Sequence, residues 1–294
     1  MNAALTFAGK AALRLRAVTK RYSRLLMILA ALLFTGGIIA SILTLDVTWT
    51  DLDPAYFALL ALVLAPLGVL LGALNMVVLA RSTNIPMSLR DATYYCVFAQ
   101  LAEILPIPGG AIVRGGALVA RGAGASMATT LVLTNALLWV GCAALAAGFS
   151  LGIASQAGAI LGASGALGVF LCCAILAKAA GIRWMLAALG IRIAGLVLVG
   201  LRLAAAFLAL GVAMSLLQAY PFALASILGS ASSIAPGGLG ISEALAAGMA
   251  TLSAVTPGAA FLAVAINRIV SFAVSGVFFA AFQLADGYRA PSHG

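Results

Sequence analysis

Leu105-Pro106-Ile107-Pro108-Gly109-Gly110 and Ala235-Pro236-Gly237-Gly238-Leu239-Gly240 decide the fold, because each sets a Pro-Gly-Gly cluster in the middle of a long apolar stretch. Proline removes a backbone donor and glycine opens turns closed to other residues, so a helix running into either cluster stops there. What surrounds the two clusters determines whether these breaks are ordinary loops. The flanks, Asp91 to Gly122 and Pro221 to Thr256, are themselves apolar, and so is most of the chain.

Of 294 residues 64% are hydrophobic and 8% are charged, too few polar side chains to cover a water-facing surface of this size. Lipid is the solvent this composition fits. A hydrocarbon core about 30 Å thick takes about 20 apolar residues per helix, and the chain holds enough for about six to eight crossings. Spans are expected at Leu25 to Leu45, Ala55 to Ala80, Ser126 to Ser150, Gln156 to Ala177, Ile193 to Ala219 and Pro257 to Leu284. The reading is an all-α polytopic membrane protein of about six transmembrane helices and two re-entrant helical hairpins. It has a basic cytoplasmic or interfacial segment at 1–24, one transmembrane domain at 25–285 and a cytoplasmic tail at 286–294.

The formal charge of +9 does not point to nucleic acid, since the basic residues form no aromatic-interleaved soluble face. Residues 1–24 carry six Lys or Arg and no acid. The following apolar run is too long for a signal-peptide core and ends at Asp46 without a small-residue cleavage site, so an uncleaved first span is expected. With the amino terminus inside, the connectors Asp46 to Pro54, Leu151 to Ser155 and Tyr220 to Thr256 face out and contain no Lys or Arg, while fourteen of the 16 basic residues stay inside. That count requires each interrupted stretch to enter and leave by one face. The two are therefore expected to dip in from opposite sides, with residues 55–150 mirroring 193–284 as an inverted repeat; two kinked spanning helices are the alternative.

Few charges remain inside the apolar stretches: Glu103, Arg114, Arg202, Glu243 and Arg268. An isolated charge in hydrocarbon costs several kcal/mol or so, so these groups should pair or face a hydrated cavity. Arg114 and Arg268 are expected as cavity cations that hold a phosphate, with the broken half-helices adding backbone donors. In the alternative Arg114 pairs with Glu243 and Arg268 with Glu103, tying the two repeats together. Arg202 is expected to snorkel to the cytoplasmic side, and Gln100, Asn135 and Asn267 either line the cavity or join helices by hydrogen bonds. Cys96, Cys142, Cys172 and Cys173 lie in apolar runs without metal-ligand spacing and read as small core residues. Gly162-Ala163-Ser164-Gly165 matches the GxSG of intramembrane serine proteases, but the only histidine is His293 in the tail, so with Gly158 it reads as helix packing. No catalytic set, metal site or cofactor motif is read.

The order Leu105-Pro106, Gly109-Gly110, Arg114, then Pro236-Gly237-Gly238, Gly240, Glu243 and Arg268 resembles the membrane region of bacterial lysylphosphatidylglycerol synthases of the MprF type. The likeness covers most of residues 25–285, and PGGxGxxE followed by an arginine in the next helix is its more specific part. The resemblance implies a stand-alone, flippase-like domain of the bacterial inner membrane that moves lipids between leaflets, with paired re-entrant segments around a cavity. Relatives of that kind are associated with aminoacylated phospholipids, hopanoid pathways and glycan-carrying lipids. Glu103 departs from the neutral polar residue, commonly asparagine, expected there, and the soluble aminoacyl-transferring domain of the full-length synthases is not in this sequence. The substrate-binding set is then Arg114, Arg268, Glu103, Glu243, Pro108, Gly109, Gly110, Pro236, Gly237 and Gly238, and the partners are membrane lipids. The rival expectations are a scaffold for a lipid-biosynthetic enzyme and an intramembrane lipid-modifying enzyme.

Overall fold

The computed structural model describes residues 35–43, 52–104, 108–232, 238–253 and 255–287, and no strand occurs among them. The expected first span is described only over 35–43, which is helical. The helices that follow are α1 Pro54–Ser82, α2 Leu89–Ala102, α3 Gly109–Ala120, α4 Ala125–Leu151, α5 Gln156–Ala180, α6 Ile182–Ala209, α7 Leu216–Ser232, α8 Ile241–Ala250 and α9 Pro257–Gly287. Five of these, α1, α4, α5, α6 and α9, are long and apolar enough to cross a membrane. Large side chains such as Leu62 and Leu284, each 77% exposed, cover the outside. A surface of that kind belongs against acyl chains, and the protein is a multi-pass, all-helical membrane protein.

Local chemistry sets the helix ends. Asp53 caps α1 by accepting from the Ala55 amide at 2.8 Å, with Pro54 in the first turn where its missing N–H costs nothing. Pro66 cannot donate within α1, and the turn before it widens over Leu60–Leu64 into a π-turn closed by Ala65 N–H on the Leu60 carbonyl. Ser88 caps α2 and Ser155 caps α5 in the same manner as Asp53.

The four short helices fall in the two interrupted stretches. With a rise of 1.5 Å per residue, α2 at 14 residues is about 21 Å long and α3 at 12 about 18 Å; α7 at 17 is about 26 Å and α8 at 10 about 15 Å. None matches a hydrocarbon core of about 30 Å. Both breaks therefore occur where the proline-glycine clusters lie, although residues 105–107 and 233–237 are outside the described residues.

The chain departs from expectation between α5 and α7. The span expected at Ile193 to Ala219 is α6, which starts at Ile182 and stops at Ala209; a turn through Gly211, φ +73°, precedes α7. Lys178 to Arg192 is consequently not a connector, because Gly181 alone separates α5 from α6. Tyr220 to Thr256, expected as an interrupted helical stretch, contains most of α7 and all of α8. Pro221 lies inside α7 near its start, where it removes one helical hydrogen bond and the helix continues.

Packing follows a repeated scheme. Helix α1 touches α2 as α6 touches α7; α2 packs on α3 as α7 on α8; α3 meets α4 as α8 meets α9. Across the bundle, α2 lies against α9 and α7 against α4, while α1 meets α9 and α6 meets α4. The α6–α9 contact has no equally close counterpart between α1 and α4. Helix α5 stands apart from the scheme and packs mainly on α4 through glycines. A Cβ on Gly148 would strike the Gly162 backbone, and one on Gly165 would lie 2.8 Å from Leu145 Cα. The GxSG stretch is thus a helix seam, as expected. Ser164 is exposed and donates only to the Leu161 carbonyl at 3.2 Å, so Ser164→Ala is expected to shift stability by less than about 0.5 kcal/mol in a thermal melt of the purified protein.

Candidate functional site

The half-helices enclose a chamber of about 460 Å³ between α1, α2, α3, α4, α6, α7 and α9. Its wall includes Glu103, Pro108, Gly109, Gly110 and Arg114 from the first interrupted stretch and Ser226, Ser230 and Gly238 from the second, with Arg268 from α9. The chamber thus unites six of the expected site residues with Gly238. Glu243 stands behind it, fully buried, and reaches it through Arg268. Pro236 and Gly237 lie outside the described residues.

The two expected arginines are both ion-paired, each with a carboxylate of its own half of the chain. Arg114 Nη2 lies 3.5 Å from Glu103 Oε1, joining the end of α2 to α3. Gly110 makes room for that carboxylate, since a Cβ there would sit 2.9 Å from Glu103 Cγ. Arg268 Nη1 lies 3.2 Å from Glu243 Oε1, and its Nη2 donates to Ser230 Oγ at 3.4 Å and to Ser242 Oγ. Arg268 in this way fastens α7, α8 and α9 together. Glu243 Oε2 in turn accepts from the Gly240 amide at 2.7 Å, at the start of α8 where Gly240 has φ +79°. The expected alternative, Arg114 with Glu243 and Arg268 with Glu103, is replaced by pairing between neighbours in the chain, because Glu103 ends α2 beside α3 and Glu243 of α8 packs against α9.

Arg202 does not snorkel. It turns inward to line the chamber, where Nη2 donates to the Asn267 carbonyl at 3.4 Å and to Ser271 Oγ. Gly68 of α1 leaves space for its guanidinium, 3.0 Å from where a Cβ would be. Arg192, expected in a cytoplasmic connector, is also in the wall. Its Nε donates to Asn135 Oδ1 at 3.1 Å, Asn135 donates onward to Asn75 Oδ1 at 3.1 Å, and its guanidinium sits 5.1 Å from the centre of the Trp139 ring. An arginine between Ile191 and Ile193 was the available signal, as was Asn75 in an apolar helix.

Gln100 and Asn267 line the chamber, and Gln100 also ties α2 to α9 by accepting from Ser275 Oγ at 2.9 Å. Asn135 joins α1, α4 and α6. Cys96, Cys142 and Cys172 are buried and Cys173 half-buried, all free, as small core residues should be. No model of a known protein family matches the chain, and no curated protein matches it.

Chemically, the chamber is a water-sized space of mixed apolar and polar lining that four arginines help to wall, inside a lipid-facing bundle. Such a space can hold a phosphate by forked, charge-assisted hydrogen bonds, with the hydroxyls of Ser226 and Ser230 as further donors.

Proposed function

We propose that this protein is a lipid translocator that passes the polar headgroup of a phospholipid, or of another lipid with an anionic headgroup, through the chamber while the acyl chains remain in the bilayer. The observation that carries the reading is the 460 Å³ chamber lined by Arg114, Arg192, Arg202 and Arg268 within an otherwise apolar bundle. Cations held at that depth are costly in a merely structural role, and a phosphate headgroup offsets the cost.

The paired packing of α1–α4 and α6–α9 supports an inverted repeat, in which α2 with α3 and α7 with α8 form re-entrant hairpins entering from opposite faces. Their short lengths agree with it. With each hairpin returning to its own face and the first span crossing, both termini are cytoplasmic. The four chamber arginines set aside, the other twelve of the 16 basic residues then fall on the cytoplasmic side. The motif resemblance to the MprF-type membrane region supports the same function and a bacterial inner membrane.

The purified protein in sealed vesicles that carry labelled phosphatidic acid, phosphatidylglycerol or phosphatidylethanolamine in one leaflet tests this. Protein-dependent equilibration of at least one lipid, measured by quenching of the outer-leaflet label, is the expected result. Leaflet distributions that match protein-free vesicles for every lipid reject it.

A further inference from the structure

The charges around the chamber do not balance. Two of its four arginines have carboxylate partners, Arg114 with Glu103 and Arg268 with Glu243. Among the described residues, no carboxylate lies within ion-pair distance of Arg192 or Arg202, which are held only by neutral groups: Asn135 and the Trp139 ring for Arg192, the Asn267 carbonyl and Ser271 for Arg202. The wall therefore has two positive charges in excess.

Two further observations point to a missing anion. Arg114, Arg192, Arg202 and Arg268 share the wall of one chamber with a single carboxylate, Glu103, and like charges gathered in one cavity repel unless a negative group joins them. Arg202 Nε is buried without a hydrogen-bond partner, so the protein leaves this guanidinium incompletely satisfied. Glu103, the one carboxylate in the described wall, is paired with Arg114, and Glu243 stands behind the wall paired with Arg268, so the protein offers an ammonium less than it offers an anion.

We propose that Arg192 and Arg202 select a lipid headgroup with two negative charges, a phosphate monoester or a diphosphate, and that the chamber discriminates against headgroups bearing an amine. This rests on the translocator reading for its lipid source and extends it to a substrate class. Arg114 and Arg268 then hold the hairpins, while the two arginines of α6 hold the headgroup. Asn75 and Asn135 act as positioning residues that aim Arg192.

The test is competition for fluorescent phosphatidic acid bound to the full-length protein in detergent micelles. Phosphatidic acid is expected to bind at least tenfold more tightly than phosphatidylethanolamine or lysyl-phosphatidylglycerol. Arg192→Gln and Arg202→Gln are each expected to weaken it about tenfold, the loss of one charge-assisted contact. Arg192→Lys, which keeps the charge but gives up the fork and the Asn135 bond, should weaken it by about three- to fivefold, less than the glutamine variant does, and Arg121→Gln, whose wild-type arginine pairs with Asp91 away from the chamber, should leave affinity unchanged. Inorganic diphosphate separates the two sources of the same chemistry: a tenfold advantage of phosphatidic acid assigns the site to lipid, and equal affinity assigns it to the soluble anion and overturns the lipid claim.

Equal or tighter binding of an amine-bearing lipid overturns the proposal, and so does wild-type affinity in both glutamine variants. Should either glutamine variant fail to fold, tenfold weakening by the folded Arg192→Lys variant overturns the charge argument. No leaflet is crossed in micelles, so the two ideas fail separately. Dianion selectivity without vesicle transport rejects the translocator, and transport of amine-bearing lipids in preference rejects the selectivity.

Discussion

Glu243→Ala is expected to be the most damaging single substitution in the protein. It would leave Arg268, 5% exposed, as an uncompensated buried cation against a site where the carboxylate was fully buried. Breaking a buried pair from one side costs about 3–5 kcal/mol, or a fall of roughly 10 °C in Tm for a domain near this size. The Gly240 amide loses its acceptor in the same stroke. A companion double variant, Glu243→Ala with Arg268→Met, removes both charges and should recover most of the loss. Intrinsic fluorescence during heating in detergent reads both. A Glu243→Ala protein that melts within 2 °C of the wild type would show that Arg268 does not depend on this carboxylate.

The second large effect is expected at Gly229, in α7. A Cβ there would strike Ser242 Oγ and lie 2.6 Å from both the amide nitrogen and Cα of Ser242, so even if the hydroxyl swings away it meets the backbone of α8. Gly229→Val should therefore force α7 from α8 and cost about 3 kcal/mol, at the upper end for overpacking. The same displacement pulls Ser230 and Ser242 off Arg268. Gly116→Ala in α3 is the contrast, with nothing within 4 Å of the added methyl. It should stabilise by about 0.5–1 kcal/mol because alanine loses less backbone freedom in a helix. If both melts shift alike, close approach of α7 and α8 is not what the glycine serves.

The long spans were legible wherever an unbroken apolar run ended in a cap or a glycine. Ala55 to Ala80, Ser126 to Ser150, Gln156 to Ala177 and Pro257 to Leu284 agree with α1, α4, α5 and α9 to within about three residues. Helix α6 was misplaced by eleven residues at its start, because Arg183 and Arg192 resembled a basic connector. Only burial distinguishes them: Arg192 turns into the bundle, and periodicity in a helix apolar on every side does not mark an inward face. Gly109, Gly110 and Gly238 of the chamber and two of its arginines were readable from the breaks and from the rarity of charge, whereas Gly68, Gly72 and Gly195 were not. Which carboxylate serves which arginine was not, since pairing depends on where half-helices come to rest and not on spacing along the chain.

The two ion pairs are unequal, and this gives the bundle a direction of give. Arg114 and Glu103 are about a third exposed, at 32% and 30%, whereas Arg268 and Glu243 are at 5% and 0%. Water can solvate the former as they separate, and the latter cannot part without stranding bare charge. The first pair thus behaves as a latch and the second as a rivet, so α2 and α3 part from one another more readily than α8 and α9 do.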